Sequence, residues 1–239
     1  MIQGSIVALV TPMDSQGNID KEKEQYSKAI KELIPEQNNV FTLAHAFDDL
    51  ELYDYAIDVY KKGRAQHPTT YPYYYEIADM YKKNGDVKAM VNEYLDAISF
   101  SENEIYTAQA HLQQSLGYDE KNGGFNNPIL KQELQKRIQS NPDQFIFSEF
   151  FIFIQIQQKY FDGAFVQCKA IDKRQKGDGS RLMTLAKLCV SNENYLVAEK
   201  CYQYVITKGK ENEFYDAAHI ENLNTRFLQL SSSLNPLLT

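Results

Sequence analysis

The sequence predicts an all-α solenoid of about five helix pairs, the third of them divergent, with a terminal capping helix. Three observations carry this prediction. Small residues recur at a spacing of 34, from Ala44 to Ala78 and again from Ala164 to Ala198. Two independent markers, Met90 to Ala164 and Pro68 to Pro142, measure the same central gap of 74 residues, which is two periods plus six. The 239-residue chain is 43% hydrophobic and 13% aromatic without a single Trp, a composition that supports a sizeable core and suits helix pairs packed through rings.

In chain order, residues 21–33 read as a helix that caps the first repeat. Residues 40–68 form the first unit, with Leu43, Ala44 and Phe47 on its helix A, Tyr53, Ala56 and Tyr60 on its helix B, and Pro68 closing it. The second begins near Tyr71, places Ile77, Ala78 and Tyr81 on helix A, turns at Asn84-Gly85-Asp86, and continues through Met90 and Tyr94. The divergent third has helix A over about 103–116 and helix B over about 128–140, started by Pro128. Its six extra residues fall in the Gly/Asn-rich stretch at 117–127. The fourth and fifth units are marked by Phe161, Ala164 and Cys168, then Tyr195, Ala198 and Tyr202. Small residues let two helices approach closely, rings one turn away fill the neighbouring groove, and stacked pairs share a core that one pair cannot bury alone. Beyond them, "NEFYDAAHIENLNTRFLQL" reads as a final helix covering the last repeat, with a tail from 231.

A large-small-x-x-aromatic helix A joined to an Ala-x-x-x-aromatic helix B at a 34-residue period resembles the tetratricopeptide-repeat (TPR) family. The resemblance spans about residues 37–211. "AFVQCKAIDKR" and "NYLVAEKCYQYVITKG" are more loosely similar to bacterial TPR proteins, many of them exported. It implies a protein-protein interaction scaffold, not an enzyme, whose concave groove takes a peptide or helix. The repeat spacing selects the groove-lining residues: Phe41, His45 and Asp48 in the first unit; Tyr75, Asp79 and Lys82 in the second; Gln109 and Gln113 in the third; Glu149, Phe153 and Ile156 in the fourth; Met183 and Lys187 in the fifth. This set lacks the Lys/Asn/Arg cluster with which chaperone-binding TPR domains clamp a C-terminal carboxylate. A structural segment of a larger TPR protein is the alternative.

Four segments admit a second reading. Residues 145–158 are apolar nearly all round, which suits a buried central helix, or else one whose Phe153 and Ile156 face the groove. Tyr71, Tyr73, Tyr74 and Tyr75 surround Pro72, either packing on the first unit or offering Tyr75 as an interface anchor. The basic run at 169–181 reads as a solvated inter-repeat loop, or as a contact for an anionic peptide. Finally, "GSIVALVTPMDSQGNID" at 4–20, with Thr11-Pro12 and Gly17-Asn18, resembles the opening of the dihydrodipicolinate synthase family of (β/α)8 lyases. The likeness ends near Asp20, and a barrel needs about 250 residues of βα units. Residues 1–20 therefore read as an appended arm, a native extension or a fusion, with no lyase activity implied.

The remaining chemistry points away from other classes. A net charge of −7 argues against nucleic acid as the main partner, because phosphate backbones need a basic face. Cys168, Cys189 and Cys201 form no C-x-x-C pair, and His45, His67, His111 and His219 are scattered, so no metal site and no cofactor are expected. No phosphate-binding glycine loop or nucleophile elbow is present. No run is long enough to span a membrane and no Lys or Arg precedes the apolar residues 6–10, so the chain as written reads as cytoplasmic; exported relatives make the periplasm the alternative.

Overall fold

A computed structural model describes residues 19–67, 69–117 and 127–234. Among them it is all-helical, with no strand. Twelve α-helices follow one another: α1 (Ile19–Glu32), α2 (Gln37–Asp49), α3 (Tyr53–Gln66), α4 (Tyr74–Lys83), α5 (Val87–Phe100), α6 (Ile105–Leu116), α7 (Pro128–Ser140), α8 (Phe145–Gln157), α9 (Phe161–Gln175), α10 (Ser180–Ser191), α11 (Tyr195–Ile206) and α12 (Tyr215–Leu234). A 3-10 turn at Glu102–Glu104 precedes α6. The chain divides into two compact units between Ser115 and Leu116. The arm at 4–20 lies outside the described residues except for Ile19 and Asp20, which open α1; Pro68 and the inserted stretch at 118–126 lie outside them as well.

In the first unit α2 packs on α3, α3 on α4 and α4 on α5, while α1 lies against α3. Helix α2 buries Val40, Leu43, Ala44 and Phe47, a spacing of three, four and seven that puts all four on one face. They meet Ala56, Ile57, Val59 and Tyr60 of α3 in one core. Gly63 is buried where α3 passes Val40 and Tyr73; a Cβ there would lie 2.9 Å from the Tyr73 ring and 3.0 Å from Val40. In the second unit α8 packs on α7 and α9, and each of α9 to α11 packs on its successor. Its core joins Phe161, Ala164 and Cys168 of α9 to Leu182, Leu185, Ala186 and Cys189 of α10 and Val197, Ala198, Cys201 and Tyr202 of α11.

The turn between the two helices of a pair is the same four times. Glu51, Gly85, Lys159 and Glu193 all have left-handed backbone, with φ of 58°, 78°, 53° and 59°. The next amide donates back to a carbonyl five residues earlier in each case: Leu52 to Phe47 at 2.8 Å, Asp86 to Tyr81 at 2.9 Å, Tyr160 to Gln155 at 2.8 Å and Asn194 to Cys189 at 2.8 Å. This is the hydrogen bond that closes a helix on a left-handed residue. Glu51 to Gly85 and Lys159 to Glu193 are each 34 residues apart. Side-chain caps start two of the helices that follow these turns, and also α7. Asp86 Oδ1 accepts from the Ala89 amide at 2.9 Å, Asn194 Oδ1 from Val197 at 3.3 Å, and Asn127 Oδ1 from Ile129 and Leu130 at 2.9 and 3.1 Å beside Pro128.

One ion pair ties α3 to α5. Arg64 Nη2 lies 2.5 Å from Glu93 Oε2, and Glu93 is only 7% exposed. The same guanidinium donates to the Pro72 carbonyl at 2.5 Å and sits 4.5 Å from the Tyr74 ring centroid, so it also holds the entry to α4. Burial raises the Glu93 carboxyl above its ordinary value of 4.5, against the pull of Arg64. A group that holds its proton more tightly folded than unfolded lowers stability as pH rises through the window between its two pKa values. Urea midpoints of the native chain, taken relative to Glu93→Gln, should therefore fall as pH climbs above 4.5. A rise over that range would mean that Arg64 dominates and the carboxyl is held low.

Candidate functional site

Eight of the expected groove residues lie on α2, α4 and α6 of the first unit. Phe41 on α2 is half-buried, its ring 5.6 Å from Tyr73, 6.0 Å from both Tyr60 and Tyr71, and 5.8 Å from His45. His45 and Lys82 are exposed. Asp48 of α2 and Asp79 of α4 share one cation: Lys83 Nζ lies 2.7 Å from the first carboxylate and 3.3 Å from the second. Hydrogen bonding to Asp48 leads the causes that raise the Lys83 pKa, so its charge is held firmly. Tyr75 is half-buried, its hydroxyl donating to Glu104 at 2.6 Å and its ring 4.9 Å from His111 of α6. Burial, reinforced by that carboxylate, pushes the Tyr75 phenol well above its usual value. Gln109 and Gln113 are half-buried on α6.

The second unit treats its candidates unevenly. Glu149 of α8 pairs with Arg181 of α10 at 3.0 Å. Phe153 is half-buried, and Ile156 packs against the core. Met183 does not line an open surface. It is 6% exposed and lies within the core, because α10 turns Leu182, Met183, Leu185, Ala186 and Cys189 inward together. Lys187 is exposed. Helix α8 buries Ile146, Phe147, Phe150, Phe151, Ile152 and Ile154, which accounts for its nearly all-round apolar sequence.

Sequence reasoning missed three members of the first face: Lys83, Glu104 and His111. Lys83 adjoins Lys82, but only the fold shows that it reaches Asp48, 35 residues away. Glu104, expected inside the third helix A, instead ends the 3-10 turn before α6, and only the fold brings it to Tyr75, 29 residues away.

The basic run is not mainly a loop. Its first seven residues, 169–175, are the last two turns of α9, and Ser180 already opens α10. Within that last part of α9, Asp172 is buried at 4% exposure and organises the turn into α10. Its carboxylate accepts from the Gly179 amide at 2.9 Å and the Tyr204 hydroxyl at 2.9 Å, and pairs with Lys208 Nζ at 2.5 Å. Burial, the Asp172 hydrogen bond and its charge together push the Tyr204 phenol up to about 12. Lys208 also donates to the Gly177 carbonyl at 2.8 Å.

Burial raises all three free thiols, Cys168 to about 11, Cys189 to about 12 and Cys201 further, so each is protonated at neutral pH. Among the described residues no group of three or more His, Cys, Asp or Glu is placed to hold a metal, and no helix is long and apolar enough to cross a membrane. Helix α12 leaves Ile220, Leu223, Phe227 and Leu230 between 60% and 70% exposed along one stripe.

No protein-family model matches the chain, and no curated protein matches it.

Removing one partner of a buried charged pair strands the other, at a cost of about 3–5 kcal/mol. Asp172→Ala should lower the urea midpoint of the second unit accordingly, since it strands both Lys208 and the Tyr204 hydroxyl. A change below about 1 kcal/mol would mean that water replaces the carboxylate freely.

Proposed function

We propose that this chain is a TPR-type helical scaffold that binds a peptide or a helix of a protein partner across the face formed by α2, α4 and α6. The observation that carries this reading is the period of that face. Phe41, Tyr75 and Gln109 stand 34 residues apart in succession, as do His45, Asp79 and Gln113. The left-handed turns at Glu51 and Gly85 keep the same interval. Equivalent positions of successive helices thus present a graded surface: aromatic at Phe41 and Tyr75, acidic and half offset by Lys83 at Asp48 and Asp79, and amide-bearing at Gln109 and Gln113. Such a surface gives a helix or extended peptide apolar anchor points with polar groups beside them. In the second unit Glu149, Phe153 and Lys187 would extend the same function, with Met183 supporting them from within the core.

A second reading, a structural segment of a larger TPR protein, is favoured by the α12 stripe. Ile220, Leu223 and Phe227 follow the three-and-four spacing with which one helix packs on another, and they are 60% to 70% exposed.

Peptides selected from a display library against the whole chain test the first reading. Large anchors dominate such interfaces, so His45→Ala with Tyr75→Ala should weaken the selected ligands about tenfold or more while far-UV circular dichroism stays unchanged. Replacing Leu223 and Phe227 by Ser should leave them bound. If the α12 variant loses the ligands and the α2/α4 variant keeps them, the face proposed here is the wrong one.

A further inference from the structure

The second unit carries a concavity unrelated to the groove candidates. It lies between α9 and α11 as an open concavity of about 470 Å³, lined by Phe165, Lys169, Lys173, Lys200, Gln203, Tyr204 and Thr207. No carboxylate lines it. Lys169 is held in place by two rings, its Nζ 5.6 Å from the Phe165 centroid and 5.4 Å from that of Tyr204. That arrangement positions an ammonium group without neutralising it. Among the described residues Lys169 and Lys173 have no carboxylate within ion-pairing distance. Lys200 meets Asp162 at 2.7 Å, but the two side chains are 52% and 57% exposed, so water screens the pair and the lysine is readily released.

The acidic groups of the neighbouring elements are engaged elsewhere. Asp172 is buried against Gly179, Tyr204 and Lys208. Glu199 is held by Arg226 and accepts from the Gln203 amide at 3.3 Å. A chain of net charge −7 therefore concentrates three ammonium groups on one concave surface, while the Thr207 hydroxyl beside them donates to the Tyr204 carbonyl at 2.6 Å.

We propose that this concavity binds a diphosphate, either as the free anion or as the end of a nucleoside diphosphate. Three lysines match the roughly threefold negative charge of a diphosphate at neutral pH, and lysine binds phosphoryl oxygens as a mobile point charge. The volume falls in the range of small-molecule sites and exceeds the needs of a single phosphate. Ring-held Lys169 loses little freedom when the anion arrives, whereas Lys173 and Lys200 close over it from the two helices.

The test uses the full chain, titrated with inorganic pyrophosphate and separately with ADP, and followed by phosphorus NMR and calorimetry at low salt. Saturable one-to-one binding is expected, weakening as salt rises. Lys173→Gln with Lys200→Gln should weaken it about tenfold, since each exposed ammonium contributes up to about 1 kcal/mol. Lys23→Gln with Lys28→Gln, which removes the same charge from α1, should leave affinity unchanged. Equal affinity for both probes identifies the free anion as the ligand recognised, and tighter ADP identifies the nucleoside diphosphate. Absence of saturation with either probe, or equal weakening by the α1 pair, overturns the proposal.

Discussion

The closeness of the two helices in each pair is the constraint on which the rest of the structure depends. Helices joined by a turn of a few residues have no slack with which to move apart, so their facing side chains must be small where the axes pass. Ala44, Ala56, Ala78, Ala164, Ala186 and Ala198 are all fully buried. Gly63 goes further, since even a methyl group there would press on Val40 and Tyr73. Close approach lets Phe47, Tyr60, Tyr94 and Tyr202 lie flat in the core with 2% exposure or less. The left-handed turn residue ends one helix abruptly enough for its partner to start at once. Only Gly85 takes that backbone without strain; Glu51, Lys159 and Glu193 take it at a cost of about 1 kcal/mol that the packing must offset.

Charge is used sparingly and at the same kind of place in both units. Arg64 of α3 with Glu93 of α5, and Lys208 in the turn after α11 with Asp172 of α9, each tie together helices that close a pair, and each couples a buried carboxylate to a backbone carbonyl near the entry of the intervening helix. A lost partner at either position leaves a buried charge, so these pairs enforce the order of packing more than they add to its strength. The surface pairs, Lys83 with Asp48 and Arg181 with Glu149, link helices that open successive pairs and are screened by water.

Much of this was legible in the sequence because a helical repeat writes its period into residue size. The alanine spacing located the pairs, Pro128 and Asn127 start α7 where it was expected, and residues 145–157 form the expected helix despite their β-favouring Phe and Ile, most of which it buries against α7 and α9. The third expected helix A began two residues late, behind a 3-10 turn. What remained illegible depends on contacts between residues far apart in the chain. Nothing local links Tyr75 to Glu104, or Lys169 to Tyr204. Met183 was misplaced for a related reason: α10 buries a face wide enough to include the position that the spacing assigned to the groove. The basic run was read by its charge, whereas its apolar partners Ile171 and Cys168 made it helix.

The close-approach account is tested most directly by urea unfolding of four single variants, Ala44→Phe, Ala78→Phe, Ala164→Phe and Ala198→Phe, beside the exposed-site control Ala110→Phe. Overpacking a filled contact costs about 1–3 kcal/mol, so all four should unfold at lower urea while the control stays near the native midpoint. Native midpoints at the four alanines would contradict the account, because they would show room between helices that it requires to touch.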